Sequence, residues 1–166
     1  MTLRLALLWH MHQPPYADPF TGEVLLPWVR LHAAHSYLDM GRVLERHPRV
    51  RATVNFVPSL LEQLDAVVSS GKADRYLALS RMPAEGLGEA DRAFVVRQFF
   101  MVSHERVVKA WPRYRALWER RGPDPDTIDV PHFSAQDIRD LQVLFNLAWM
   151  GFSARAEEPD VGRLLA

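Results

Sequence analysis

The sequence predicts an α/β chain, with two parallel strands near residues 3–9 and 50–57 in an otherwise largely helical polypeptide. Three observations carry this reading. The run Leu3-Arg4-Leu5-Ala6-Leu7-Leu8-Trp9 is apolar apart from one arginine and too short to span a membrane, which fits a buried parallel strand. Residues 50–57 alternate, with Ala52, Val54 and Phe56 set against Arg51, Thr53 and Asn55. From about residue 72 onward, apolar residues recur at helical spacing.

The first strand ends in His10-Met11-His12-Gln13-Pro14-Pro15-Tyr16. Pro14 and Pro15 cannot donate to a ladder and stop the strand there. In a strand, residues two apart point the same way, so His10 and His12 share a face. The carboxyl edge of a parallel sheet is where ligands bind. Two imidazoles there suit either hydrogen bonds to a polar ligand's hydroxyls or a divalent metal. The bland alternative is a pair satisfied by backbone carbonyls at the mouth of a core.

Residues 17–33 read as a long loop, with a turn over Ala17–Glu23 and a second bend at Pro27-Trp28. Trp28, Arg30 and His32 lie in it. A helix follows over His35–His47, with Tyr37, Met40, Val43 and Leu44 on one face, and Pro48 ends it. The second strand places Asn55 near its end, where it either bonds a ligand hydroxyl or ties down its own loop. Ser59-Leu60-Leu61-Glu62 fits a capping box that opens a helix to about Ser70, closed by Gly71.

The rest reads as helix: a short piece over Asp74–Ser80, a loop over Met82–Gly88, and a long helix from Glu89 to Ala110. Pro112 suits the first turn of the next helix, which Gly122 ends. Asp124–Pro131 is a rigid connector. Ser134 caps a final helix through Trp149, with Ile138, Leu141, Phe145 and Ala148 as its apolar stripe and Asn146 interrupting that face. A hydrogen bond inside the core is the expectation for Asn146. His104 and Glu105 lie in a helix without partner spacing and receive no role.

Composition bounds the function. The 166 residues are 48% hydrophobic and carry twenty basic and twenty acidic side chains, so no basic stripe marks a nucleic-acid binder. There is no cysteine, hence no disulfide and no thiolate ligand or nucleophile. The N-terminal run has no small-residue cleavage site after it, so a cytoplasmic protein with no membrane partner is expected. Five tryptophans and four tyrosines supply flat faces that suit sugars or helix cores equally.

Residues 8–16, Leu-Trp-His-Met-His-Gln-Pro-Pro-Tyr, resemble the first signature of glycoside hydrolase family 57, whose hallmark is His-Gln-Pro after the first barrel strand. Further segments resemble the family in order: Pro27-Trp28-Val29-Arg30-Leu31-His32-Ala33, Tyr37-Leu38-Asp39-Met40, Thr53 to Leu61, and Asp140 to Trp149. The resemblance implies the N-terminal portion of a seven-stranded β/α barrel acting on α-glucans, as amylase, 4-α-glucanotransferase or branching enzyme. It implies that His10, His12 and Gln13 bond the glucose beside the scissile bond and that Trp28 stacks on a sugar ring. Arg30, His32 and Asn55 complete the expected substrate-binding set, with an α-glucan or malto-oligosaccharide as partner and no cofactor.

The family's catalytic glutamate and aspartate belong to later signatures, which have no counterpart in these residues. The chain is therefore expected to be one partial barrel domain, with two β/α units over residues 1–71 and a helical segment over 72–166. It would carry the first substrate-binding motif without the catalytic carboxylates. Self-association through an exposed sheet edge is a further expectation. Two other readings stand beside this one: a catalytically inactive glucan-binding fragment, and a metal-dependent hydrolase with a His-x-His site.

Overall fold

The structure is a computed structural model that describes residues 3–124 and 127–165. It divides into two compact units. One runs to Asp74 and includes the segment from Met150 onward; the other is Arg75–Trp149.

In the first unit, β1 (Leu8–Met11) and β2 (Thr53–Phe56) form a parallel two-stranded sheet. His10 stands opposite Asn55 and Met11 opposite Phe56. Pairing extends one residue each way through Thr53 N–H to Leu7 O at 2.9 Å and Val57 N–H to Met11 O at 3.1 Å. The two strands and their parallel direction match the expectation, but the ladder is shorter and begins later than residues 3–9 and 50–57. His10 therefore lies inside the strand instead of beyond it.

The expected burial of the first strand also needs correction, because only one face is covered. Met11 packs with Val29 and Leu60, and Trp9, Tyr37, Met40, Val54 and Leu64 surround them. Leu8, His10 and His12 alternate on the opposite face, Leu8 at 68% exposure, and Leu3 and Leu5, ahead of the strand, are 94% and 80% exposed.

Between the strands the chain does not stay a loop to residue 33. Asp18 Oδ1 accepts from the amides of Phe20 and Thr21, both at 2.8 Å, and Gly22 turns with φ +69°. These bonds hold the Asp18 carboxyl below its ordinary value. Helix α1 (Trp28–His32) then begins directly after Pro27, places Trp28, Arg30 and His32 on helix, and buries Val29 and Leu31. It runs through a π-helical turn (Ala33–Tyr37) into α2 (Leu38–Arg46).

Helix α3 (Pro58–Ser69) differs from expectation at its start. Val57 occupies the N-cap and Pro58 the first turn, while the Ser59 hydroxyl donates to Gln13 O at 2.8 Å instead of closing a capping box. Gly71 ends the region with φ +63°. Trp149 is not the close of the last helix: α8 (Phe152–Glu157) and α9 (Pro159–Leu165) follow. Asp39, on α2, accepts from the amides of Phe152 and Ser153 at 3.0 and 2.9 Å and so caps α8.

The second unit is a helical cluster of α4 (Arg75–Arg81), α5 (Glu89–Gln98), α6 (Pro112–Arg121) and α7 (Ala135–Ala148). The expected helix from Glu89 to Ala110 breaks at Phe99. There the Phe99 carbonyl accepts from the Tyr114 hydroxyl at 2.5 Å, and Ser103 accepts from Arg106 N–H to open a separate π-helical turn, His104–Val108. Burial raises the Tyr114 hydroxyl's pKa well above its ordinary value.

Tyr76, Phe99 and Phe145 stack at the centre, with centroids 4.8 to 5.7 Å apart. Ser134 opens α7 with a capping box to Asp137, and Ile138, Leu141, Phe145 and Ala148 are buried as expected. Asn146 meets its expected core hydrogen bonds, to Ser80 Oγ at 2.8 Å and Gln142 O at 2.7 Å. The connector over Asp124–Pro131 lies partly outside the described residues; its far end is a 3-10 turn, Val130–His132.

Candidate functional site

Strand alternation places His10 and His12 on the sheet face that the helices leave open. Their rings lie parallel, 9° apart, with centroids separated by 5.9 Å. The expectation that they share a face holds. Both are exposed. His10 Nδ1 lies 2.8 Å from Asn55 Oδ1, so Asn55 ties to its opposite number on β1 and not to its own loop.

Gln13 follows where the strand ends, and its amide is held from both sides. Tyr16 Oη donates to Gln13 Oε1 at 2.7 Å, and Gln13 Nε2 donates to Tyr37 Oη at 3.2 Å. Helix α3 fixes the backbone beneath it. Ser59 Oγ bonds Gln13 O, Gln63 Nε2 donates to Pro14 O at 3.0 Å, and Tyr16 N–H donates to Gln63 Oε1 at 2.9 Å. The two prolines have no N–H to contribute, so side chains of α3 pin this stretch instead. Partial burial, with Tyr37 close by, raises the Tyr16 hydroxyl's pKa and keeps it a donor.

The helix supplies the aromatic part. Trp28 and His32 are one α-turn apart, with centroids at 6.3 Å. His32 and Tyr37 are five residues apart, and their centroids lie 6.4 Å from one another. In an α-helix a five-residue step turns by about 140°. The π turn over Ala33–Tyr37 absorbs that rotation and brings Tyr37 round to His32 and Gln13. Desolvation, reinforced by His35, lowers the His32 pKa and favours the neutral ring.

The sequence-derived candidates thus separate. His10, His12 and Asn55 group on the open face of the sheet, while Gln13 links through Tyr37 to His32 and Trp28. Arg30 is placed elsewhere. It forms a two-bond pair with Asp74, Nε to Oδ2 at 2.7 Å and Nη2 to Oδ1 at 3.2 Å. That pair lies in the wall of a pocket of about 170 Å³ formed by Pro15, Val24, Leu26, Pro27 and Val67, among others. Tyr16, Tyr37, Ser59 and Gln63 are site residues that the candidate set omits. Tyr16 was visible as the last residue of the motif; the others depend on the π turn and on the tertiary path of α3.

Chemically, these residues offer imidazole, amide and phenol hydrogen-bonding groups, with the Trp28 indole beside His32. That set suits a neutral, hydroxyl-rich ligand with flat apolar faces. Among the described residues no group of three or more His, Cys, Asp or Glu side chains converges on a metal position. No described helix is long and apolar enough to cross a membrane.

The sequence model of glycosyl hydrolase family 57 matches residues 6–160, most of the chain. No curated protein and no solved structure matches it.

Proposed function

The chain belongs to glycosyl hydrolase family 57, and from that membership we propose that it forms the substrate-holding part of an α-glucan-active retaining hydrolase or glucanotransferase. Family membership makes a glycan the substrate class. On this reading β1 and β2 are the first strands of a β/α barrel, His10, His12 and Gln13 hydrogen-bond a glucose, and Trp28 stacks on a sugar ring.

The single observation that carries the reading is the parallel pair His10–His12 beside the doubly held Gln13 amide. A sugar hydroxyl is both donor and acceptor, so groups fixed before it arrives bind it at lower ordering cost. The work of these residues is positioning, which lowers a barrier by holding the scissile bond in line with the reacting groups. Retention needs a nucleophile and an acid/base carboxyl about 5–5.5 Å apart. The cluster residues are imidazoles, amides, phenols and an indole, so those carboxyls are assigned to other parts of the barrel.

The test is calorimetric titration of the purified chain with a malto-oligosaccharide, alongside His12→Ala. The expected outcome is saturable binding that His12→Ala weakens roughly tenfold, about 1.4 kcal/mol, without lowering the melting temperature. Equal affinities in the two proteins would reject the role of His12. Binding without turnover would favour a glucan-binding module, the reading that the absence of a carboxylate from the cluster supports.

A further inference from the structure

We propose that Asn55 is a positioning residue that fixes the tautomer of His10, so that His10 meets its ligand through Nε2 as a hydrogen-bond acceptor. His10 and Asn55 are register partners across the two parallel strands, and the contact between them is Nδ1 to Oδ1 at 2.8 Å. An amide oxygen has no proton to give. The proton of the contact therefore resides on Nδ1, and the neutral ring is left with its lone pair on Nε2. Which ring nitrogen of a histidine carries the proton is set by the bond the other nitrogen makes. An unrestrained neutral histidine favours the opposite arrangement, with the proton on Nε2, so Asn55 reverses the default.

The same logic fixes Gln13. Its oxygen faces the Tyr16 hydroxyl and its nitrogen faces Tyr37, which leaves the second N–H of Nε2 as the free donor. Two neighbouring groups of the motif thus carry opposite and preset polarity: an acceptor at His10 Nε2 and a donor at Gln13 Nε2. A ligand hydroxyl at His10 Nε2 meets an acceptor already set, and a ligand oxygen at Gln13 Nε2 meets a donor already set. Asn55 then acts through His10 rather than on the ligand. The tautomer rests on the Asn55 oxygen facing Nδ1; only the nature of what Nε2 meets rests on the α-glucan reading.

The test is long-range proton–nitrogen correlation NMR of the full chain labelled with ¹⁵N in its histidine rings, recorded where His10 is neutral. The expected result is a protonated Nδ1 and an unprotonated Nε2 in the native protein. Asn55→Ala should invert that pattern. Asn55→Asp keeps an oxygen at the same place and should restore it. A native His10 protonated on Nε2, or a pattern that Asn55→Ala leaves unchanged, would overturn the proposal. If Asn55→Ala does not fold, the native spectrum and that of Asn55→Asp decide the matter. A malto-oligosaccharide titration separates the two readings. Asn55→Ala should weaken binding roughly fivefold and Asn55→Asp should recover it. A native Nδ1–H tautomer with no sugar binding would remove the substrate reading and leave the tautomer standing.

Discussion

His32 and Tyr37 are five residues apart on one helix, yet their rings face each other with centroids 6.4 Å apart. The π turn between α1 and α2 makes this possible, and its consequence is that the Tyr37 hydroxyl reaches Gln13. Tyr37→Phe keeps the ring and removes the acceptor of the Gln13 amide. We expect a melting temperature within a few degrees of native and malto-oligosaccharide affinity about fivefold lower, close to 1 kcal/mol. Affinity equal to native would show that the Gln13 amide needs no second anchor.

Arg30 and Asp74 form a mostly buried pair, with side-chain exposures of 16% and 3%. Removal of one partner leaves a charge without its counterpart in the wall of an apolar pocket. Asp74→Ala should destabilise the protein by about 3 kcal/mol in denaturant unfolding. Arg30→Lys should recover only part of the native stability, because an ammonium cannot make both bonds of the fork. Full stability in Arg30→Lys would argue that charge alone matters here.

Gly151 is required by proximity and not by backbone conformation. Its φ of −66° is open to any residue, but a Cβ there would stand 2.5 Å from Asp39 Oδ2, the carboxylate that caps α8. Gly151→Ala should therefore cost about 2 kcal/mol, by steric overpacking together with a displaced cap. Asp39→Ala should lose a similar amount through the unpaired amides of Phe152 and Ser153. The double variant should cost less than the sum, since the two changes damage one contact.

Acid should weaken the second unit through Asp137. Burial disfavours its charge, but hydrogen bonds from the Ser134 hydroxyl and amide, the Arg113 bond and the charge of Arg120 outweigh that and hold its carboxyl at about 2, against 3.8 ordinarily. A lowered folded-state value contributes stability above the unfolded pKa and loses it as pH falls through the folded one. The native protein should lose stability from about pH 4 down to about pH 2. Asp137→Asn should be less stable at neutral pH and show a flatter acid limb; an unchanged limb would assign the acid response to other carboxylates.

Much of this was legible in local pattern. Proline after the histidines, alternation at Thr53–Phe56, and Ser134 ahead of an apolar stripe each act through near neighbours, so the parallel strands and α7 followed. The shared face of His10 and His12 follows from the period of a strand alone. What was not legible depends on distant partners. Leu3, Leu5 and Leu8 look buried from composition, but burial depends on whether another element covers them. Ser59 has the spacing of a capping box, yet the Gln13 carbonyl takes its hydroxyl. The run through Phe99 has helical spacing, and it breaks because Tyr114 claims the Phe99 carbonyl. Trp28 to Tyr37 reads as loop and then α-helix, since neither a π turn nor a helix start behind Pro27 has a strong local signal.

The central claim is that the strand-end motif holds a glucan. The most direct measurement is a malto-oligosaccharide titration of the isotope-labelled chain, followed by NMR. We expect saturable shifts at the side chains of His10, His12, Gln13 and Trp28, with Trp118 in the second unit unmoved. Shifts absent from the motif, or spread evenly over both units, would contradict the account.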